Sequence, residues 1–379
     1  MGWLERLVGT RREAPAAAGV AVDQPSAEPR VLVLTEHFNA TYFISFDLPL
    51  RRLHAAGRAS FRAYSQQDVA ASAGQWTRWI EEFRPQVVVF TRYGAADGPE
   101  ILRHCKARDI PVVYHIDDDL LELPPSLGAE ILKRQGAAAQ ARRAMLAECD
   151  LIYASTAELA KVLGSRFPRQ PLVQGIYASY RELRPAAPRE HAGPVIGYMG
   201  SKGHREDLEL VVPALVELMQ ARPELRFETF GTIEMPAELR RFEGRVRHHP
   251  VQKSYAEFLQ SMADLGWSIG LAPLVDEPFN RCKAPTKFIE YTSCGIPAVA
   301  SNLPVYADAI PAGAGLLVGE DWKGALEAVL DSPDRRASML DAARRHCSRT
   351  FSPERLEGQV EEVLRAARGP TASHPTGAR

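Results

Sequence analysis

Apolar and polar stretches alternate along most of the chain with the rhythm of strands and helices. From residue 30, short apolar runs rich in β-branched residues stand at RVLVLT (30–35), QVVVFT (86–91), PVVYHI (111–116) and DLIYAS (150–155). Helix-like segments lie between them, including 97–108 and an Ala/Arg-rich stretch at 128–148. Strands of this kind separated by helices signal βαβ units on a parallel sheet. The polar, Pro-containing RELRPAAPREHAGP (181–194) interrupts the pattern and reads as a linker. The alternation then restarts with VIGYMG (195–200), a helix over 205–221 and strands RFETFG (226–231) and VRHHPV (246–251). It continues with a helix over 254–264, strand WSIGLAPL (267–274), a helix over 285–294 and strands at 297–301 and 315–319. Helices near 321–331, 334–349 and 353–367 close the pattern. The expectation is an α/β protein with two doubly wound halves, whose ligands bind beyond the carboxyl ends of the strands.

The domain boundaries expected are a tail and linker at 1–29, a first domain at 30–185 and a second at 194–350. A helix at 351–368 and a disordered tail at 369–379 follow. Within the first segment, Trp3, Leu4, Leu7 and Val8 can share a helix face beside Arg6, Arg11 and Arg12. A frayed terminus is favoured there over contact with a membrane or partner.

Length and charge narrow the class. The chain has 379 residues, with 46 Lys and Arg against 47 Asp and Glu, for a net charge of -1. About 100–200 residues per domain gives two domains. A balanced charge argues against general nucleic-acid binding, which needs a basic surface. No apolar run approaches the roughly 18–20 residues that span a bilayer. The start MGWLERLVGTRR lacks the apolar core and cleavage site of a secretory signal. The five cysteines, Cys105, Cys149, Cys282, Cys294 and Cys347, form no CxxC pair, which suits a reducing cytoplasm and excludes a conventional zinc cluster.

Two segments of the second half suit an anionic ligand. In NRCKAPTKFIEYTSCGIPAVAS (280–301), Pro285 fits the first turn of a helix and Gly295 its end. Lys283, Lys287 and Glu290 stand at i, i+4 and i+7, on one face. A helix start flanked by lysines attracts phosphate, and a carboxylate one turn on can accept from sugar hydroxyls. A solvated amphipathic helix is an equal reading of the same spacing. In GYMGSKGHREDLEL (197–210), a strand runs into Gly200, Ser201, Lys202 and Gly203 and then a helix capped near Gly203 or His204. Glycines let a backbone approach phosphate closely, but this is neither a Walker A loop nor GxGxxG. A plain strand–helix turn is at least as good a reading of it alone.

These two segments, with IGLAPL (269–274), resemble the donor-binding domain of GT-B glycosyltransferases. The likeness is to the family-4-like (group 1), retaining enzymes that build bacterial surface polysaccharides. It is specific over about 194–350 and architectural before that. The resemblance implies two Rossmann-like domains facing across a cleft. It also implies a nucleotide-sugar donor, a glycan, lipid-linked or small-molecule acceptor, and no resident cofactor, with Mg²⁺ ranked last. Glu290 would bind the ribose and Lys202 or Lys287 the diphosphate, with Lys283 assisting. Gly200–Gly203 and His204 would line the phosphates, and the turn at Gly231-Thr232 would lie near the base. Relatives often carry a second glutamate eight positions before the ribose-binding one. Cys282 stands there, so either Asp276, Glu277 or Asn280 would substitute or the chain would belong to a branch that uses the Lys283/Lys287 pair instead. The last helix would pack back on the first domain. The place implied is cytoplasmic, at most peripheral to the inner face of a membrane.

The first half offers HIDDDLLELPP (115–125) after the strand PVVYHI. Asp117 and Asp118 are candidates for orienting an acceptor, ranked ahead of local capping and of metal binding. In TEHFNATYFI (35–44), Glu36 and His37 are candidates for acid–base work on an acceptor, although a solvated loop is the favoured reading of either residue alone. Arg92 and Tyr93 suggest a further rim, and His248-His249 a structural pair. Rival readings are a nucleotide-sugar epimerase of the same fold and a non-catalytic binding module of a polysaccharide-assembly complex. A dehydrogenase is disfavoured because GxGxxG is missing.

Overall fold

The computed structural model describes residues 20–22, 29–177, 179–250 and 254–369. The proposed helix at 3–8, most of the 1–29 linker and nearly all of the 369–379 tail lie outside the described residues, as does Val251 at the end of one expected strand. The chain forms two compact units. One contains residues 45–176 with 29–38 and 356–369, and the other 39–44 and 177–355.

The first unit is built on strands β1 (Val20–Val22), β2 (Arg30–Thr35), β3 (Ser60–Ser65), β4 (Val87–Thr91), β5 (Val112–Ile116), β6 (Leu151–Ala154) and β7 (Leu172–Gln174). Among the described residues they form a seven-stranded sheet in the order β1-β3-β2-β4-β5-β6-β7. All neighbours are parallel except the edge strand β1, which runs antiparallel to β3. Val87 to Phe90 and Val112 to Tyr114 are fully buried, as strands covered on both faces require. Sequence patterning did not anticipate β3. Its SFRAYS run carries polar residues inward, with Ser60 and Ser65 buried and the Arg62 guanidinium 4.8 Å from the Phe83 ring centroid. The helix Pro353–Arg368 ends on this unit. Its Glu357 pairs with Arg52 at 2.8 Å and Arg58 at 3.0 Å, and Gln359 accepts from the Ile176 N–H at 2.7 Å.

The second unit carries β8 (Val195–Gly200), β9 (Arg226–Gly231), β10 (Val246–His249), β11 (Ile269–Ala272), β12 (Ala298–Ser301) and β13 (Leu316–Val318). They form a parallel sheet in the order β10-β9-β8-β11-β12-β13. The order reverses beside β8, and a ligand crevice is expected between β8 and β11. These two strands pair only at Ile196–Ile269 and Gly197–Gly270. Beyond that point the Tyr291 hydroxyl joins them, accepting from the Met199 N–H at 3.0 Å and donating to the Leu271 carbonyl at 2.9 Å. Gly197 and Gly270 have no room for a side chain: a Cβ at Gly197 would overlap the Trp267 ring, and one at Gly270 would lie 2.7 Å from the Tyr291 ring. His249 is structural, with Nε2 2.8 Å from the buried Glu228 carboxylate, which also accepts from Trp267 at 2.9 Å.

The 181–194 stretch is bonded to the second unit. Arg181 and Leu183 donate backbone N–H groups to Ser293, and Arg189 donates to the Asp264 carbonyl at 2.9 Å.

Candidate functional site

At the carboxyl end of β8 the chain turns at Ser201, makes a 3-10 turn over Lys202–His204 and enters the helix Arg205–Glu209. The expected single helix over 205–221 is therefore two, the second being Val212–Ala221. His204 precedes the first of them without capping it through its side chain. The Gly200 carbonyl accepts from the Thr232 and Ile233 N–H groups at 3.1 Å each, and Thr232 Oγ1 accepts from the Lys202 N–H at 3.2 Å. These bonds lock the two turns at the ends of β8 and β9 together. Gly231 takes φ 118, a conformation that disfavours any side chain.

The helix Thr286–Ser293 supplies Lys287 and Glu290. Lys283 lies before this helix, so the expected three-residue face holds only for the other two. Lys287 Nζ stands 5.6 Å from the Tyr198 ring centroid and Lys283 Nζ 4.4 Å from that of Phe279, both within cation–π range. Lys202 is exposed and pairs with Glu234 at 3.2 Å. Glu290 is 5% exposed and accepts from the Tyr255 hydroxyl at 2.8 Å. Burial pushes its carboxyl up to about 7, against the Tyr255 bond and the Lys287 charge, which pull it down.

Two of the three residues considered as replacements for a second glutamate are engaged elsewhere. Asp276 forms an ion pair with Arg281 at 2.6 Å. The buried Asn280 amide donates to the Val275 carbonyl at 3.1 Å and to Asp207 at 3.4 Å, so it is part of the scaffold under the turn.

In the first unit, the carboxylates at the strand ends face arginines. Arg92 sits just past β4 with φ 55. Its guanidinium donates to Glu36 at 3.2 Å, to both Asp117 oxygens at 2.9 and 3.0 Å, and to Asp118 at 3.4 Å. Arg142, 1% exposed, donates to Glu36 at 2.9 Å and to the Arg92 carbonyl at 3.0 Å. Burial alone would raise the Glu36 carboxyl, yet the two guanidiniums hold it below the usual range. Asp119 pairs with Arg166 at 2.7 Å. The three aspartates are thus divided between two arginines rather than gathered as a cation cage, and the described residues hold no His, Cys, Asp and Glu group suited to a metal ion. Tyr93 is fully buried and bonded to Asp97, so it forms no rim. His115 is buried, with Nδ1 2.8 Å from Thr91 Oγ1, and burial with the Arg92 charge lowers its pKa to about 3. His37 gives its carbonyl to the Thr35 hydroxyl at 2.9 Å.

Asp207, Tyr255 and Arg142 belong to these arrangements but went unnoticed in the sequence. The three-residue spacing of His204 and Asp207 was a usable signal for the first, whereas Tyr255 and Arg142 reach their partners only through the fold.

Residues 205–361 match the family model described as glycosyl transferase-like. A search of curated proteins finds no match. Several solved structures are similar over nearly their whole length. Sucrose-phosphate synthase from Thermosynechococcus elongatus matches at 14% identity and TM-score 0.65, covering 89% of this chain and 99% of that one. Anabaena HepE in complex with UDP-glucose matches at 14% identity and TM-score 0.59, covering 88% and 99%. A UDP-forming α,α-trehalose-phosphate synthase from Burkholderia xenovorans matches at 12% identity and TM-score 0.60, covering 90% and 100%. At such identities the likeness is one of fold, two Rossmann-like units of the GT-B type. The glycosyl transferase-like match thus covers 205–361, and the chain as a whole shares the GT-B fold of these structures.

Proposed function

We propose that the enzyme moves a sugar from a nucleotide-diphosphate sugar, with retention of configuration, to a glycan, lipid-linked or small-molecule acceptor. The observation that carries the donor part is the company at the carboxyl end of β8. The Gly200–Gly203 turn, Lys202, Lys287 and the buried Glu290 belong to the same strand ends that bind ligands in such sheets. In this reading Lys202 and Lys287, with Lys283, neutralise the diphosphate and the charge that develops on it as the leaving group. Backbone N–H groups of the turn add to that field. Glu290 accepts from ribose hydroxyls, and the Gly231 turn borders the base.

Lysine charge takes the place a divalent cation would fill, so no cofactor is invoked. On the acceptor side, Glu36 and Asp117 serve the arginines that hold them, and Asp118 and His37 are the groups assigned to an acceptor hydroxyl. A lipid-linked acceptor would bring the enzyme to the cytoplasmic face of a membrane. Among the described residues no helix is long and apolar enough to cross one.

HepE was solved with UDP-glucose, which makes that nucleotide sugar the first donor to test. Titrating nucleoside diphosphates into wild type, Lys287→Ala and Glu290→Ala is the direct experiment. Each variant is expected to lose about tenfold or more in affinity, a loss of 1.4 kcal/mol per factor of ten. Unchanged affinity in both would refute the site.

A further inference from the structure

The donor reading leaves one buried carboxylate without a task. Asp207 is 3% exposed, and three donors converge on it. His204 Nδ1 lies at 2.7 Å, the Val275 N–H at 2.8 Å and the Asn280 amide at 3.4 Å. Burial alone would raise its pKa, but the His204 bond, the Lys287 charge and the Val275 N–H hold it below the usual range, so Asp207 stays ionised. An ionised partner at Nδ1 fixes the hydrogen there and leaves Nε2 as the nitrogen that can gain a proton. His204 is held in the turn that follows Gly200, its side chain 22% exposed. The charged and titratable groups facing it are Asp207 on its own helix, Lys287 on the helix Thr286–Ser293 and Lys283 on the turn before that helix. From β8, the Tyr198 hydroxyl donates to the His204 carbonyl at 3.4 Å.

We propose that His204 takes up a proton from solvent at Nε2 when the donor diphosphate binds and donates a hydrogen bond from that N–H to a phosphate oxygen, with Asp207 as its positioning residue. The inference rests on the donor reading above. One proton passes from water to Nε2, and no bond of the donor forms or breaks in this step. Without the anion, burial and the two lysine charges hold His204 down at about 4, so it is neutral at pH 7. A diphosphate set among those lysines cancels their repulsion and adds negative charge, both of which favour the imidazolium. Asp207 then balances the new positive charge from the far side of the ring.

The test is calorimetric titration at pH 7 in two buffers of different ionisation enthalpy. UDP-glucose, GDP-mannose, ADP-glucose and dTDP-glucose serve as probes, because their diesterified phosphates do not titrate near that pH. Proton exchange at Glu290, which titrates near 7, is common to all variants, so wild type is expected to take up about one proton more per nucleotide sugar than His204→Gln, and its affinity to fall more steeply as pH rises. His204→Gln should still bind, roughly tenfold more weakly, and without that additional proton. Asp207→Asn should bind with reduced uptake. Equal proton exchange in wild type and His204→Gln overturns the inference while leaving the donor site standing. Failure of all four probes to bind overturns the donor reading itself, and this step with it.

Discussion

The carboxyl ends of the two sheets handle charge in opposite ways. In the first unit, charge is answered by charge: Arg92 and Arg142 hold Glu36 and Asp117, and Arg166 holds Asp119. In the second, Lys287 and Lys283 lie over aromatic rings, and Glu290 is bonded to a phenol rather than to a cation. A carboxylate bridged by two guanidiniums is committed to the scaffold, since removing a partner strands a buried charge. A lysine over a ring keeps most of its electrostatic attraction for an incoming anion.

The comparison is broken most severely at Arg142. Arg142→Ala should cost about 3–5 kcal/mol in urea unfolding, because Glu36 is left partly uncompensated. A loss below ~1 kcal/mol would show that the network is not structural. Next comes Gly197→Ala, whose new methyl must displace the Trp267 ring between β8 and β11. Overpacking of this kind costs about 1–3 kcal/mol, and the same unfolding experiment reads it.

Glu290→Gln sharpens the contrast through pH. The folded-state pKa of Glu290 is raised to about 7, so its contribution is fully present below its ordinary carboxylate value and is lost as pH rises through about 7. Wild-type stability should fall across that window with a slope approaching about 1.4 kcal/mol per pH unit relative to the variant. Glu36, whose pKa is lowered, should show the reverse in a Glu36→Gln comparison: its contribution is lost as pH falls below its ordinary value. The smallest effect is expected at Lys202→Ala. The exposed pair with Glu234 should contribute within about 0.5 kcal/mol, measured by thermal unfolding without ligand.

Much of the fold was legible because parallel strands announce themselves as β-branched runs. VLVL at 31–34 and VVVF at 87–90 have no amphipathic alternative, and the Gly-Ser-Lys-Gly turn follows directly from the strand before it. The strand Ser60–Ser65 was not legible, since its inward serines and its Arg62 are justified only by neighbours that folding brings to them. Helical spacing misjudged Lys283 because residues 282–285 form a turn before the helix begins. The chemistry of Glu36 and Asp117 was hidden for a different reason. Their partners, Arg92 and Arg142, are up to 106 positions away, and a local reading sees only a polar loop and an acidic run. Asp207 was within reach, three residues from His204, but nothing local reveals that it is buried.

The Tyr291 hydroxyl, which bonds to both Met199 and Leu271, acts as a gauge block at the place where the second sheet changes direction. It sets the distance between two strands that no longer pair, and it does so from the residue next to Glu290. The acid's place along the crevice and the crevice's width are therefore one mechanical variable. A change at Tyr291 would alter the spacing of the two strands and the position of Glu290 together.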